Sequence, residues 1–95
     1  MAPTPTIRLH VPGPLRDYCG GAAQLSIQAP TVRTLLEELE RSQSGLYGNL
    51  CDETGRLRRH LNLFVNSDNM RDLEGVDTKL APGDEVILLP AVSGG

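Results

Sequence analysis

A chain of 95 residues, 39% hydrophobic and 22% charged, is sized for one small globular domain near the lower limit for a self-sufficient core. Its net charge of −3 argues against a nucleic-acid footprint, which needs a clear Lys/Arg excess. No stretch approaches the roughly 20 apolar residues of a membrane span, and Met1–Thr6 is too polar for a signal peptide, so no membrane role and a cytoplasmic location are expected.

"TIRLHV" (Thr6–Val11) alternates, with Ile7, Leu9 and Val11 on one face and Arg8 and His10 on the other, which predicts a strand with one buried side. "PGP" (Pro12–Pro14) breaks it. After "CGG" (Cys19–Gly21), "AQLSIQA" (Ala23–Ala29) alternates again with Leu25 and Ile27 inward, so the chain opens with a hairpin on a long connection. In "PTVRTLLEELERS" the period changes: Thr31 is a good N-cap, and Val32, Leu35, Leu36 and Leu39 follow at helical spacing, with Glu37, Glu38 and Arg41 on the wet side. The glycine-punctuated stretch from Ser44 to Arg59, with Leu46, Tyr47 and Leu50, suggests one short helical turn.

"HLNLFVN" (His60–Asn66) predicts a strand with Leu61, Leu63 and Val65 on one face and Asn62 and Phe64 on the other. "SDNMRDLEGVDTKL" is polar connection, pinned by Met70, Leu73, Val76 and Leu80, with room for a short edge strand. Pro82-Gly83 turns the chain into a last strand, Glu85–Leu89. The order β, β, α, β, β suggests an α+β roll: a mixed sheet of four or five strands with one main helix on one face. If the first and last strands lie centrally and parallel, the helix provides the right-handed crossover between them, a pairing that periodicity alone does not establish.

Cys19 and Cys51 lack C-x-x-C spacing, and only His10 and His60 could assist them, so no metal site and two reduced thiols acting as small hydrophobes are expected. The run Arg56, Arg58, Arg59, His60 reads as a solvated loop, with steering of an acidic partner as the alternative. The carboxylates of "DETG" and "SDN" have no matching base or nucleophile nearby.

The end of the sequence asks for an explanation. "LLPAVSGG" (Leu88–Gly95) leaves the last strand and stops at Gly94-Gly95, residues that gain nothing by packing and carry the largest backbone entropy. Pro90 fixes the exit, and the five residues after it reach about 17 Å when extended. Without Cβ atoms, Gly94 and Gly95 suit a narrow channel, with Val92 and Ser93 behind them. What such a thread delivers is a carboxylate, inert until an oxygen is made a leaving group. The expected division is a domain over residues 1–90 and a flexible tail over 91–95.

"FVNSDNMRDLEGVDTKLAPGDEVILLPAVSGG" (Phe64–Gly95), and more weakly "TIRLHVPGPLRDYCGG", resemble the ubiquitin-like sulfur-carrier family. That family includes the small subunit of molybdopterin synthase and the thiamin sulfur carrier ThiS. The "LPAV-x-GG" ending is most similar to the family's cysteine-biosynthesis carriers. The resemblance implies a β-grasp fold. It also implies activation of Gly95 by an E1-like adenylating enzyme using ATP and magnesium, with no cofactor bound by the carrier itself. Sulfur from a persulfide or sulfide donor then displaces AMP, and the C-terminal thiocarboxylate is consumed by a sulfur-accepting synthase. On this reading the chain is a protein co-substrate and not an enzyme. With no residues after Gly95, it is expected to be ready for activation as synthesised.

Strand parity adds an expected docking surface. Val86 and Leu88 should point into the core, leaving Ile87, Leu89 and Phe64 together on the outer face. Two other readings share the same residues. One is a ubiquitin-like modifier joined to other proteins through Gly95, for which the single lysine, Lys79, makes self-chains a poor primary role. The other is a non-covalent β-grasp interaction module that would not need Gly94 and Gly95. The receiving pathway, whether cysteine, thiamin, molybdopterin or a secondary metabolite, is not encoded in these motifs.

Overall fold

In the computed structural model, residues 4–90 are described. Five strands form one mixed sheet: β1 (Thr6–His10), β2 (Gln24–Gln28), β3 (Leu61–Val65), β4 (Asp68–Asn69) and β5 (Glu85–Pro90), in the order β2-β1-β5-β3-β4. β1 and β5 are parallel; the other neighbouring pairs are antiparallel. The first and last strands therefore lie side by side within the sheet, a pairing that periodicity alone left open. The architecture is the β-grasp.

The helix α1 (Val32–Ser42) forms where the apolar period is 3.6. The Thr31 side chain caps it by accepting the Thr34 amide, and Val32, Leu35, Leu36 and Leu39 are buried. These four meet Ile7, Leu9, Leu61, Leu63, Val65, Val86 and Leu88, the alternate residues of β1, β3 and β5, in one core. Leu9, Leu35 and Leu39 are fully enclosed, and truncating any one to alanine is expected to cost about 2–5 kcal/mol.

Several elements depart from the sequence reading. Val11 is buried but lies beyond β1, and the connection after it is a seven-residue 3-10 helix, Gly13–Cys19. Pro12 is its N-cap and Pro14 stands in its first turn, where a missing N–H costs nothing, and Gly20 closes it in the left-handed region. The glycine-rich stretch forms a two-turn helix, α2 (Ser44–Leu50), which buries Leu46 and Leu50. Leu25 and Ile27 of β2 are only half-buried, because their strand is at the sheet edge. Leu73, expected as an apolar pin, is exposed. The segment holds two 3-10 turns, Met70–Asp72 and Gly75–Asp77, and the break at Leu73–Glu74 removes Leu73 from the face shared by Met70 and Val76.

Candidate functional site

The last strand is aimed by a polar lock at its start. Asn66, with φ of 57°, ends β3 in the left-handed region that asparagine tolerates. Its amide donates to the Glu85 carbonyl at 2.7 Å. Its side chain donates from Nδ2 to Asp84 Oδ1 at 3.2 Å and accepts the Glu85 amide at Oδ1 at 3.1 Å. The other carboxylate oxygen of Asp84 accepts the Ala81 amide at 2.9 Å across the turn that Gly83, at φ of 85°, makes possible. The Gly83 amide donates to the Thr6 carbonyl and the Arg8 amide to the Asp84 carbonyl, both at 3.0 Å, tying the turn to β1.

These bonds set the register of β5 against both neighbours, and hence which of its residues face outward. Asn66→Ala loses two side-chain bonds and places alanine in the left-handed region. It should destabilise the fold by about 2 kcal/mol, read as a melting midpoint lowered by roughly 8–15 °C.

With that register, Ile87 lies directly across from Phe64 of β3, and Leu89 across from Asn62. On the other side Ile87 neighbours His10 of β1. Val86 and Leu88 are buried, Ile87 and Phe64 are half-buried, and Leu89 is 44% exposed. The three apolar residues thus occupy the sheet face opposite α1. Polar groups rim them. His10 Nε2 lies 2.8 Å from Glu85 Oε1. Asn62 Oδ1 accepts from Arg71 Nη1 at 3.2 Å and from Asn69 Nδ2 at 3.4 Å, while Asn69 Oδ1 accepts the Arg71 amide at 3.0 Å.

This Asn62–Asn69–Arg71 bracket was not found in the sequence. Parity puts Asn62 on the outer face, but the meeting with Asn69 and Arg71 depends on the tight β3–β4 hairpin. The last residue of β5, Pro90, pairs with Leu61. Val92, Ser93, Gly94 and Gly95 lie outside the described residues.

The remaining candidates supply no catalytic chemistry. Cys19 and Cys51 are free and buried. Burial, reinforced by the Asp52 carboxylate, pushes the Cys51 thiol up from 9.0 to about 11. Since the thiolate is the nucleophile, Cys51 in the native protein should resist iodoacetamide at pH 8 and react only after unfolding. The same shift gives a stability contribution that is complete below pH 9 and lost as pH rises through about 11, where the folded thiol also ionises.

Arg56, Arg58, Arg59 and His60 are exposed, and Arg58 donates to the Gly48 carbonyl at 3.1 Å, in keeping with a solvated loop. Among the described residues no group of three or more His, Cys, Asp or Glu is placed to hold a metal ion, and no helix is long and apolar enough to cross a membrane.

Comparison with known proteins adds to this geometry. The model of the ThiS family matches residues 9–95. The chain is 35% identical over 91 residues to the sulfur carrier protein CysO of Mycobacterium tuberculosis, covering 94% of this chain and 98% of that protein. The crystal structure of M. tuberculosis CysO superposes with a TM-score of 0.83, covering 90% of this chain and 99% of that one. A chain of the Amycolatopsis orientalis BexX/CysO complex gives 0.83 at 29% identity, with 94% and 99% covered. Over 65 residues, 68% of this chain and 70% of the relative, the chain is also 37% identical to small archaeal modifier protein 3 of Haloferax volcanii.

Proposed function

The chain belongs to the ThiS family, and we propose from that premise that it is a sulfur carrier whose working group is the Gly95 carboxylate. The observation that carries the reading is the course of β5. This inner strand, locked in register by Asn66 and Asp84, reaches Pro90, and the sequence continues from there through "AVSGG" to Gly95. A length of about 17 Å lets that group enter another protein's active site while the body stays outside.

The chemistry follows from the carboxylate. One Gly95 oxygen attacks the α-phosphorus of ATP on an E1-like enzyme that supplies the magnesium, and pyrophosphate leaves. A sulfide-level sulfur nucleophile then adds to the activated carbonyl, AMP departs with the shared oxygen, and a thiocarboxylate remains. No electrons are gained or lost in either step. The carrier contributes the handle and the acyl group, the partner contributes acid–base catalysis, and a synthase consumes the sulfur as co-substrate. Slender Gly94 lets channel walls close on the backbone, with Ser93 and Val92 as the following part of the thread.

Phe64, Ile87 and Leu89 form the surface on which the activating enzyme docks: a small apolar patch inside a polar rim, the usual anatomy of a recognition surface. The similarity to CysO proteins, including one in complex with BexX, supports a carrier that works with a protein partner and favours the cysteine branch of the family. The test is reconstitution with ATP, magnesium, sulfide and the host's adenylating enzyme. Sulfur replacing one oxygen at Gly95 is expected. An unchanged carboxylate after enzyme-dependent turnover of ATP would remove the reading. Isopeptide linkage of Gly95 to other proteins, the outcome suggested by the small archaeal modifier relative, would replace it with the modifier reading.

A further inference from the structure

The two edges of the sheet are built differently. β4 is two residues long and carries Asp68, a short charged edge that discourages pairing. β2, at the other edge, is five residues long, and from Ala22 to Ala29 it has no charge, no proline and no glycine. Among the described residues it pairs only with β1.

The register shows which of its backbone groups are free. The Val11 amide donates to the Ala23 carbonyl and the Ala29 amide to the Pro5 carbonyl. In an antiparallel ladder these are hydrogen-bonded positions, and they alternate. The odd residues of β2 therefore point their N–H and C=O groups toward β1, while Gln24, Ser26 and Gln28 point theirs to the open edge.

The sequence of that edge, Gln-Leu-Ser-Ile-Gln, reads nearly the same in both directions about Ser26. We propose that β2 pairs with β2 of a second copy, antiparallel about a two-fold axis at Ser26, to make one continuous sheet. In that register Ser26 faces Ser26 of the second copy, and Gln24 faces Gln28. Every one of these is a residue with outward backbone groups, so roughly six inter-chain hydrogen bonds form. Centring the axis on Leu25 or Ile27 leaves one end of the strand without a partner.

Side chains agree with the same register. Leu25 meets Ile27 of the second copy on the helix side, where each is only half-buried in the single chain. The groove between β2 and α1, about 580 Å³, is lined by Ile27, Pro30 and Thr34 with one acid, Glu38, and one base, Arg41. These two are paired within the chain, Arg41 Nη2 donating to Glu38 Oε1 at 2.6 Å, so the groove offers no unmatched charge to a charged partner, whereas the near-palindromic edge matches itself about a two-fold axis. The occupant is thus a second copy and not a charged partner. The axis stands perpendicular to the sheet, so both Phe64–Ile87–Leu89 faces stay open on one side and the two β5 strands run in opposite directions.

The edge is short for a permanent interface, so a reversible dimer is expected, with the average mass rising toward twice the monomer's between about 10 µM and 1 mM. Sedimentation equilibrium on the full chain measures this, and amide exchange locates it. Protection of Gln24, Ser26 and Gln28 should grow with concentration, while Leu25 and Ile27 stay protected throughout. Ser26→Lys sets two like charges opposite each other across the axis and keeps the backbone bonds between β2 and β1, although it also places a lysine across from Arg8 within the chain. It should hold the chain monomeric at the highest concentration, still folded, with its melting midpoint at monomer concentration lowered by at most about 4–8 °C through the pair with Arg8. A wild-type mass that stays monomeric at 1 mM, or a dimer that survives Ser26→Lys, overturns the proposal. Neither outcome bears on the role of Gly95.

Discussion

A chain shortened by Gly94 and Gly95 should be folded and wholly inactive: no pyrophosphate released, no sulfur loaded, and the melting midpoint of the full-length protein retained. The loss is complete because the chain does not lend a catalytic group that a neighbour can replace; it lends the reacting atoms. Its new C-terminus, Ser93, would also stop about 7 Å short of the reacting position, more than the near-contact distance that acyl and phosphoryl chemistry requires. Gly95→Ala keeps the length but adds a methyl group beside the reacting carbonyl, and Gly94→Val adds bulk within the thread. Both should retain ATP-independent docking while losing most activation. Full sulfur transfer by the shortened chain would instead identify a docking module that works without covalent chemistry.

Reversing the character of the outer face should have the next largest effect. Ile87 sits between Phe64 and His10 in the ladder, half-buried and at the centre of the apolar patch. Ile87→Asp buries a carboxylate in any interface formed there, next to Glu85, and is expected to lower kcat/KM for activation by 10²-fold or more. Leu89→Ala, which only removes exposed apolar area, should cost about 3–10-fold. Because Ile87→Asp could also loosen the sheet, its melting midpoint and its binding to the activating enzyme are measured together. Weakened binding with the fold intact supports the docking face, whereas wild-type binding moves the contact elsewhere. Glu37→Ala, on the exposed side of α1 away from this face, serves as the control and should leave activation unchanged.

The legible parts of this fold are those where burial imposes a period. β1, β3 and β5 alternate because one face packs on α1, and α1 repeats at 3.6 for the same reason. The patch could be anticipated because a period of two that buries Val86 and Leu88 must turn Ile87 and Leu89 out.

Elements held by tertiary contact were not legible. α2 contains Gly45 and Gly48, poor helix formers, and exists because Leu46 and Leu50 have a core to enter. The 3-10 helix at Gly13–Cys19 begins with residues that read as a break, because proline at a helix start and proline in a turn look alike. The role of Asn66 was equally hidden: in the sequence it only closes the alternating strand, and the three-dimensional register is needed to show it bridging Asp84 and Glu85 across 18 and 19 residues. The pairing of Asn62 with Arg71 likewise needs the hairpin closed before the two can meet.

The central claim is that Gly95 carries sulfur. It is tested most directly by top-down mass spectrometry of the intact protein recovered from its own host, with fragments assigned to the C-terminus. Replacing an oxygen by sulfur changes the mass almost as oxidation of Met1 or Met70 does, so the shift must be localised to the terminal residue. A population with sulfur confined to Gly95, lost when the host's adenylating enzyme is deleted, is the result the account predicts. A Gly95 that is always a plain carboxylate, in cells where the adenylating enzyme and a sulfur source are active, would contradict it.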